Sequence, residues 1–73
     1  MSSTDNGAAI QVQAPFGYGR TLLGFEVIDN ATGRPLSEPF AKAAEANGHA
    51  QAMNSILKAG GSSRAIHRYL RSI

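Results

Sequence analysis

The stretch Thr21–Phe40 reads TLLGFEVIDNATGRPLSEPF, and how it divides into strands and turns decides the fold. From Thr21 to Asp29 the spacing predicts one strand, with Leu23, Phe25 and Val27 on one face and Leu22, Gly24, Glu26 and Ile28 on the other. A strand apolar on both faces belongs in the middle of a sheet. Asp29-Asn30-Ala31-Thr32-Gly33-Arg34 follows. Asp and Asn there can bond their own backbone and Gly33 accepts a positive φ, which is the chemistry of a short hairpin loop. Pro35–Phe40 is expected to return as a third strand, short or at an edge because Pro35 and Pro39 have no amide hydrogen, with Phe40 facing the core.

Upstream, Ile10-Gln11-Val12-Gln13 alternates apolar and polar residues and reads as the first strand of the meander. Ala14-Pro15-Phe16-Gly17-Tyr18-Gly19-Arg20, with a proline and two glycines, reads as the turn that joins it to Thr21. Residues 1–7 are small and polar and are expected to form a disordered tail, leaving residues 8–73 as a single small domain.

Downstream the period changes to that of a helix. Between Ala41 and Ala59, Ala43, Ala46, Ala50, Met53 and Leu57 step by three and four residues, and this stripe is expected to lie on the sheet. Gly48 costs about 1 kcal/mol inside a helix, so Asn47-Gly48 is a candidate break. Gly60-Gly61 stops the helix, and Ser62 or Ser63 caps a second one running to the C-terminus. In that second helix Ile66, Tyr69, Leu70 and Ile73 share one side, while Arg64, His67, Arg68 and Arg71 fall nearly opposite. The expected fold is therefore α+β: a three-stranded antiparallel meander packed by one helix, plus a short basic amphipathic C-terminal helix.

Of the 31 apolar residues among 73, 12 are alanine, so the core is thin. A chain of this size rarely gains more than roughly 3–5 kcal/mol of net stability from its core, and without cysteine it has no disulfide to add. Docking on a partner, or on a second copy as a homodimer, is a natural remedy. No run approaches the 18 apolar residues of a membrane span, and residues 1–7 carry no basic or apolar leader, so a cytoplasmic protein off the membrane is expected.

The net charge of +2 hides an uneven distribution. Residues 1–57 hold three basic and five acidic side chains, whereas residues 58–73 hold Lys58, Arg64, Arg68 and Arg71 and no acid. With His67 among them they form a basic ridge suited to phosphate oxygens, against the plainer alternative of a solvated helix face. Phe16, Tyr18 and Arg20 alternate with glycines and offer two aromatic rings and a guanidinium as auxiliary stacking contacts, or simply fold back on the core. Neither a catalytic set nor a metal site is expected. Ser63 and His67 lie one turn apart with no acid near them in sequence, and His49 and His67 lack the companions zinc requires. No cofactor is implied.

Asp29, Thr32, Gly33, Phe40, Glu45, Ala46 and Asn54 spell strand, Asp-x-x-Thr-Gly turn, strand, then Phe-x-x-x-x-Glu-Ala opening a helix. This layout resembles short phage- and plasmid-encoded accessory proteins. It is similar to the sheet-plus-helix modules at the N-termini of phage-type integrases and to the AP2-type DNA-binding domains of plants, a resemblance that implies DNA binding through the sheet. Lys42 stands where that pattern usually has a capping threonine, and Leu22, Gly24, Glu26 and Ile28 replace arginines on the outward sheet face. Nucleic-acid contacts are therefore expected at the C-terminal ridge and the first turn.

The functional expectation is a non-enzymatic nucleic-acid-binding accessory protein of a phage or mobile element. It would use Lys58, Arg64, His67, Arg68 and Arg71, with Phe16, Tyr18 and Arg20 as auxiliaries. The alternative is a protein-interaction module, an inhibitor or adaptor acting on a host protein complex or a homodimer. It would dock through Leu22, Ile28, Ile66, Tyr69, Leu70 and Ile73.

Overall fold

The computed structural model describes residues 14–73; the strand expected at Ile10–Gln13 and the tail over residues 1–7 lie outside them. Two antiparallel strands, β1 (Phe16–Thr21) and β2 (Gly24–Asp29), are followed by two helices, α1 (Ala43–Lys58) and α2 (Ser63–Ser72). The α+β class holds, with a two-stranded sheet among the described residues where a three-stranded meander was expected.

Two boundaries differ from the sequence reading. Phe16–Arg20, read as a turn, is strand, and the strand read as starting at Thr21 starts at Gly24. Between them Leu22-Leu23 forms a two-residue hairpin tip closed by the pair Thr21 and Gly24. The Thr21 hydroxyl organises this tip, accepting the Leu23 N–H at 3.0 Å and donating to the Gly24 carbonyl at 3.2 Å. Gly24 takes φ 142°, which L residues rarely adopt.

The glycines of β1 mark close approach rather than a turn. Gly17 and Gly19 sit opposite Ile28 and Glu26, and the Ile28 side chain lies over Gly19, its Cγ2 3.5 Å from where a Cβ would stand. Gly17 leaves room for Asn30, whose side-chain amide donates to the Ala14 carbonyl at 2.7 Å.

The loop after β2 follows its chemistry. Asp29 Oδ1 accepts the Ala31 N–H at 2.9 Å, the Asp29 carbonyl accepts from Thr32 and Gly33, and Gly33 adopts φ 74°. The returning segment, residues 35–40, pairs its backbone with β2 as two isolated bridges, Ile28–Pro35 and Phe25–Phe40. Leu36 donates to the Val27 carbonyl at 2.7 Å, and Phe25 and Phe40 exchange two bonds at 2.7 and 2.8 Å. Between these points the Val27 N–H goes to the Ser37 hydroxyl at 3.0 Å instead of a backbone carbonyl. A side chain thus interrupts the ladder between two prolines, which is why the third strand does not form. β2 thus has β1 on one side and the two bridges on the other, and a two-stranded sheet has no central strand of the kind its apolar faces led us to expect.

α1 begins where the Glu45 carboxylate accepts the Lys42 N–H at 3.1 Å, half of a capping box, since a lysine ammonium has no acceptor for the reciprocal bond. It runs unbroken through Asn47-Gly48, because both are exposed and Gly48 has open space around it. Its end is a Schellman motif: Gly60, at φ 91°, donates to the Leu57 carbonyl and Gly61 to that of Ile56. Ser62 then caps α2 by accepting the Ala65 N–H at 3.4 Å.

The core forms where α1 crosses the sheet and α2 returns beside it. Val27, Ala46, Ala50 and Met53 are wholly buried and Ile66 nearly so, with Phe16, Leu36, Phe40, Ile56, Leu57, Tyr69 and Leu70 packed around them. The alanine half of the α1 stripe admits close approach while Met53 supplies volume, a burial contributing roughly 1.5–3 kcal/mol. The Asn54 side chain fastens α1 to β1, accepting the Phe16 N–H at 2.9 Å and donating to the Phe16 carbonyl at 3.0 Å. Among the described residues no helix is long and apolar enough to cross a membrane.

Candidate nucleic-acid interface

α2 owes its two sides to spacing. Ile66 is buried and Tyr69 and Leu70 are half-buried, so this side is committed to the chain's own core. Arg64, His67, Arg68 and Arg71, offset by three and four residues, all reach solvent on the other side. They line one shallow groove with Leu70, and no acidic residue is in its lining among the described residues. Arg71 in the last turn also complements the helix dipole. Lys58 is exposed at the end of α1, one short connection before α2. The sequence-predicted basic ridge is thus assembled on a helix that the core holds in place.

The other expected contacts are elsewhere. Phe16, Tyr18 and Arg20 are on β1, a paired strand, and not on a loop as expected. Phe16 packs against the core and its backbone is held by Asn54. Tyr18 is 45 % exposed and meets Phe25 edge to face at 6.1 Å, and Arg20 is exposed beyond it. None of the three lines the basic groove.

Of the residues expected to meet a protein partner, Ile66 is consumed by the core and Ile28 is half-buried over Gly19. Leu22 is fully exposed, and so, nearly, is its neighbour Leu23, which the strand reading had turned inward. Ile73 is 39 % exposed at the end of the chain.

The two histidines separate. His49 stacks on Phe40 with ring centroids 4.9 Å apart and its Nδ1 lies 2.8 Å from the Tyr69 hydroxyl, so it ties α1 to α2. His67 borders a hollow shared with Ser63, Asp29 and Leu57. That hollow counts an acid, a serine and a histidine in one lining, a grouping the sequence did not reveal because Asp29 is 34 residues before Ser63. No hydrogen bond joins these three side chains among the described residues, and Asp29 Oδ1 is engaged by the Ala31 N–H, so the arrangement lacks the connected geometry of a nucleophilic triad. Among the described residues no group of three or more His, Asp or Glu side chains gathers to hold a metal ion. Comparison with protein-family models, with curated proteins and with solved structures finds no match to this chain.

Proposed function

We propose that the protein is a non-enzymatic nucleic-acid-binding accessory protein, of the kind phages and mobile elements encode, that grips the phosphate backbone with the outer face of α2. The observation that carries this reading is the exposed groove lined by Arg64, His67, Arg68 and Arg71, with no acid in its lining among the described residues, on a helix whose opposite face is anchored by Ile66. Guanidinium groups suit phosphate oxygens because their planar fork donates two parallel hydrogen bonds. Lys58 extends the surface as a point charge, and Tyr18 and Arg20 offer a secondary contact on β1. The fastened helix presents its charges without a folding cost on binding.

The triple variant Arg64→Ala/Arg68→Ala/Arg71→Ala tests this. Alanine preserves the helix, so its circular dichroism and urea midpoint should match the parent. Its affinity for duplex and single-stranded oligonucleotides at about 50 mM salt should fall by about tenfold or more, measured by fluorescence anisotropy. Equal affinity in variant and parent would rule out the ridge as the binding surface.

A second reading, a protein-interaction module working in the cytoplasm, is favoured by one observation: Leu22 projects fully into solvent beside an almost equally exposed Leu23. Two leucines at a hairpin tip add almost nothing to their own fold and suit a partner's apolar pocket.

A further inference from the structure

The tip of the β1–β2 hairpin is an apolar wedge with a cation behind it. Leu22 and Leu23 are 104 % and 83 % exposed, and Arg20 is exposed at the end of β1. A two-residue hairpin loop ordinarily carries glycine, asparagine or aspartate, and this one instead relies on the Thr21 hydroxyl to hold its shape. The wedge is thereby preorganised, so little freedom is lost when it docks.

A complementary feature exists on the same molecule. Between the 35–40 segment and the end of α2 runs a groove with Leu36, Phe40, Leu70 and Ile73 in its walls, Glu26 and Glu38 among its lining, and no basic residue among the described residues that line it. Wedge and groove match in character and in charge: leucines with a cation against apolar walls with two anions. They also lie close together, because Gly24, which closes the tip, packs against the carbonyl of Phe40, whose side chain lines the groove. Only the Phe40 end of the groove adjoins the tip, and a two-fold axis beside it lets two copies insert their tips reciprocally and close the contact on itself.

We propose that a second copy of this chain covers these surfaces, the Leu22-Leu23 tip of each protomer seating in the partner's groove with its Arg20 directed to the acidic residues there. This inference rests on the protein-docking reading and names its partner. It also explains how a thin core is supplemented, since the leucines left outside each monomer become buried. Because Leu70 and Ile73 line the groove, the dimer brings the C-terminal ends of two α2 helices to one interface and sets two basic faces on one assembly.

Sedimentation velocity on the full chain over a wide concentration range tests the proposal. The parent should reach twice the monomer mass, and Leu22→Ser/Leu23→Ser, which alters only exposed side chains, should remain monomeric with an unchanged far-UV circular dichroism spectrum, its urea midpoint matching that of the parent only at concentrations where the parent has dissociated. Arg20→Glu and Glu38→Arg should each raise the dissociation constant by about tenfold, and the combined variant should recover most of that loss. A parent that is monomeric throughout, or a dimer indifferent to the serine variant, overturns it. Two further arms separate this failure from that of the reading beneath it. If a monomeric parent captures a protein from a lysate and the serine variant does not, protein docking stands and the second copy is wrong. If the only property the serine variant loses is binding to vesicles of anionic phospholipid, both are wrong.

Discussion

Replacing Met53 by alanine is expected to leave the chain largely unfolded at 25 °C. Met53 is the largest wholly buried side chain, enclosed with Val27, Ala50 and Ile66 at the junction of sheet and both helices. Truncating a buried methionine costs about 2–5 kcal/mol in lost transfer energy and residual cavity. A core of this size supplies roughly 3–5 kcal/mol of net stability, so the loss is comparable with the whole. Ala50, in the same buried cluster, carries only a methyl group and cannot extend into the gap. Far-UV circular dichroism and urea titration provide the readout. Met53→Leu, which nearly conserves volume, should cost less than about 1.5 kcal/mol and remain folded. A stable Met53→Ala protein would show that α1 does not supply the core.

Gly24→Ala is expected to have the second largest effect. At φ 142° an L residue is strained by about 1–3 kcal/mol, and its Cβ would run into the carbonyl of Phe40, a backbone atom that cannot rotate away. Relief requires residues 35–40 to move off β2. That breaks the two bonds exchanged by Phe25 and Phe40, each contributing about 0.5–1.5 kcal/mol. The urea midpoint should fall, and the Phe25 and Phe40 amides should lose hydrogen-exchange protection before those of α1. Uniform loss across both elements would place the damage elsewhere. Gly33→Ala provides the comparison: φ is also positive there, but nothing surrounds the site, so only the strain applies.

What the sequence revealed and what it concealed divide along physical lines. Periodicity exposed both helices, because Ala46, Ala50 and Met53, and then Ile66, Tyr69 and Leu70, recur at helical spacing, and the structure turns all six inward. Local chemistry exposed the Asp29–Arg34 loop and the Gly60-Gly61 stop, where the bonds needed lie within a few residues. The hairpin tip was concealed because Leu22 and Leu23 continue an apolar alternation and the turn's determinant is the hydroxyl of Thr21. β1 was concealed because Gly17 and Gly19 resemble punctuation, whereas their role is to admit Asn30 and Ile28 from across the sheet. Asn54, which joins α1 to β1, is 38 residues from Phe16, and no local signal marks so distant a bond. At the candidate site the α2 ridge was fully legible, since one helix carries all of it beyond Lys58. The separation of Phe16, Tyr18 and Arg20 from that ridge depends on the tertiary fold.

Phosphate binding by the exposed basic face of α2 is tested most directly by the salt dependence of oligonucleotide binding. Each phosphate neutralised on a duplex contributes about −0.9 to the slope of log K against log salt concentration, so three to four contacts from Lys58, Arg64, Arg68 and Arg71 predict roughly −2.7 to −3.6 per protomer. A slope in that range, reduced by about one for each arginine removed, is the expected result. No binding at low salt, or binding that salt leaves unchanged, would contradict it.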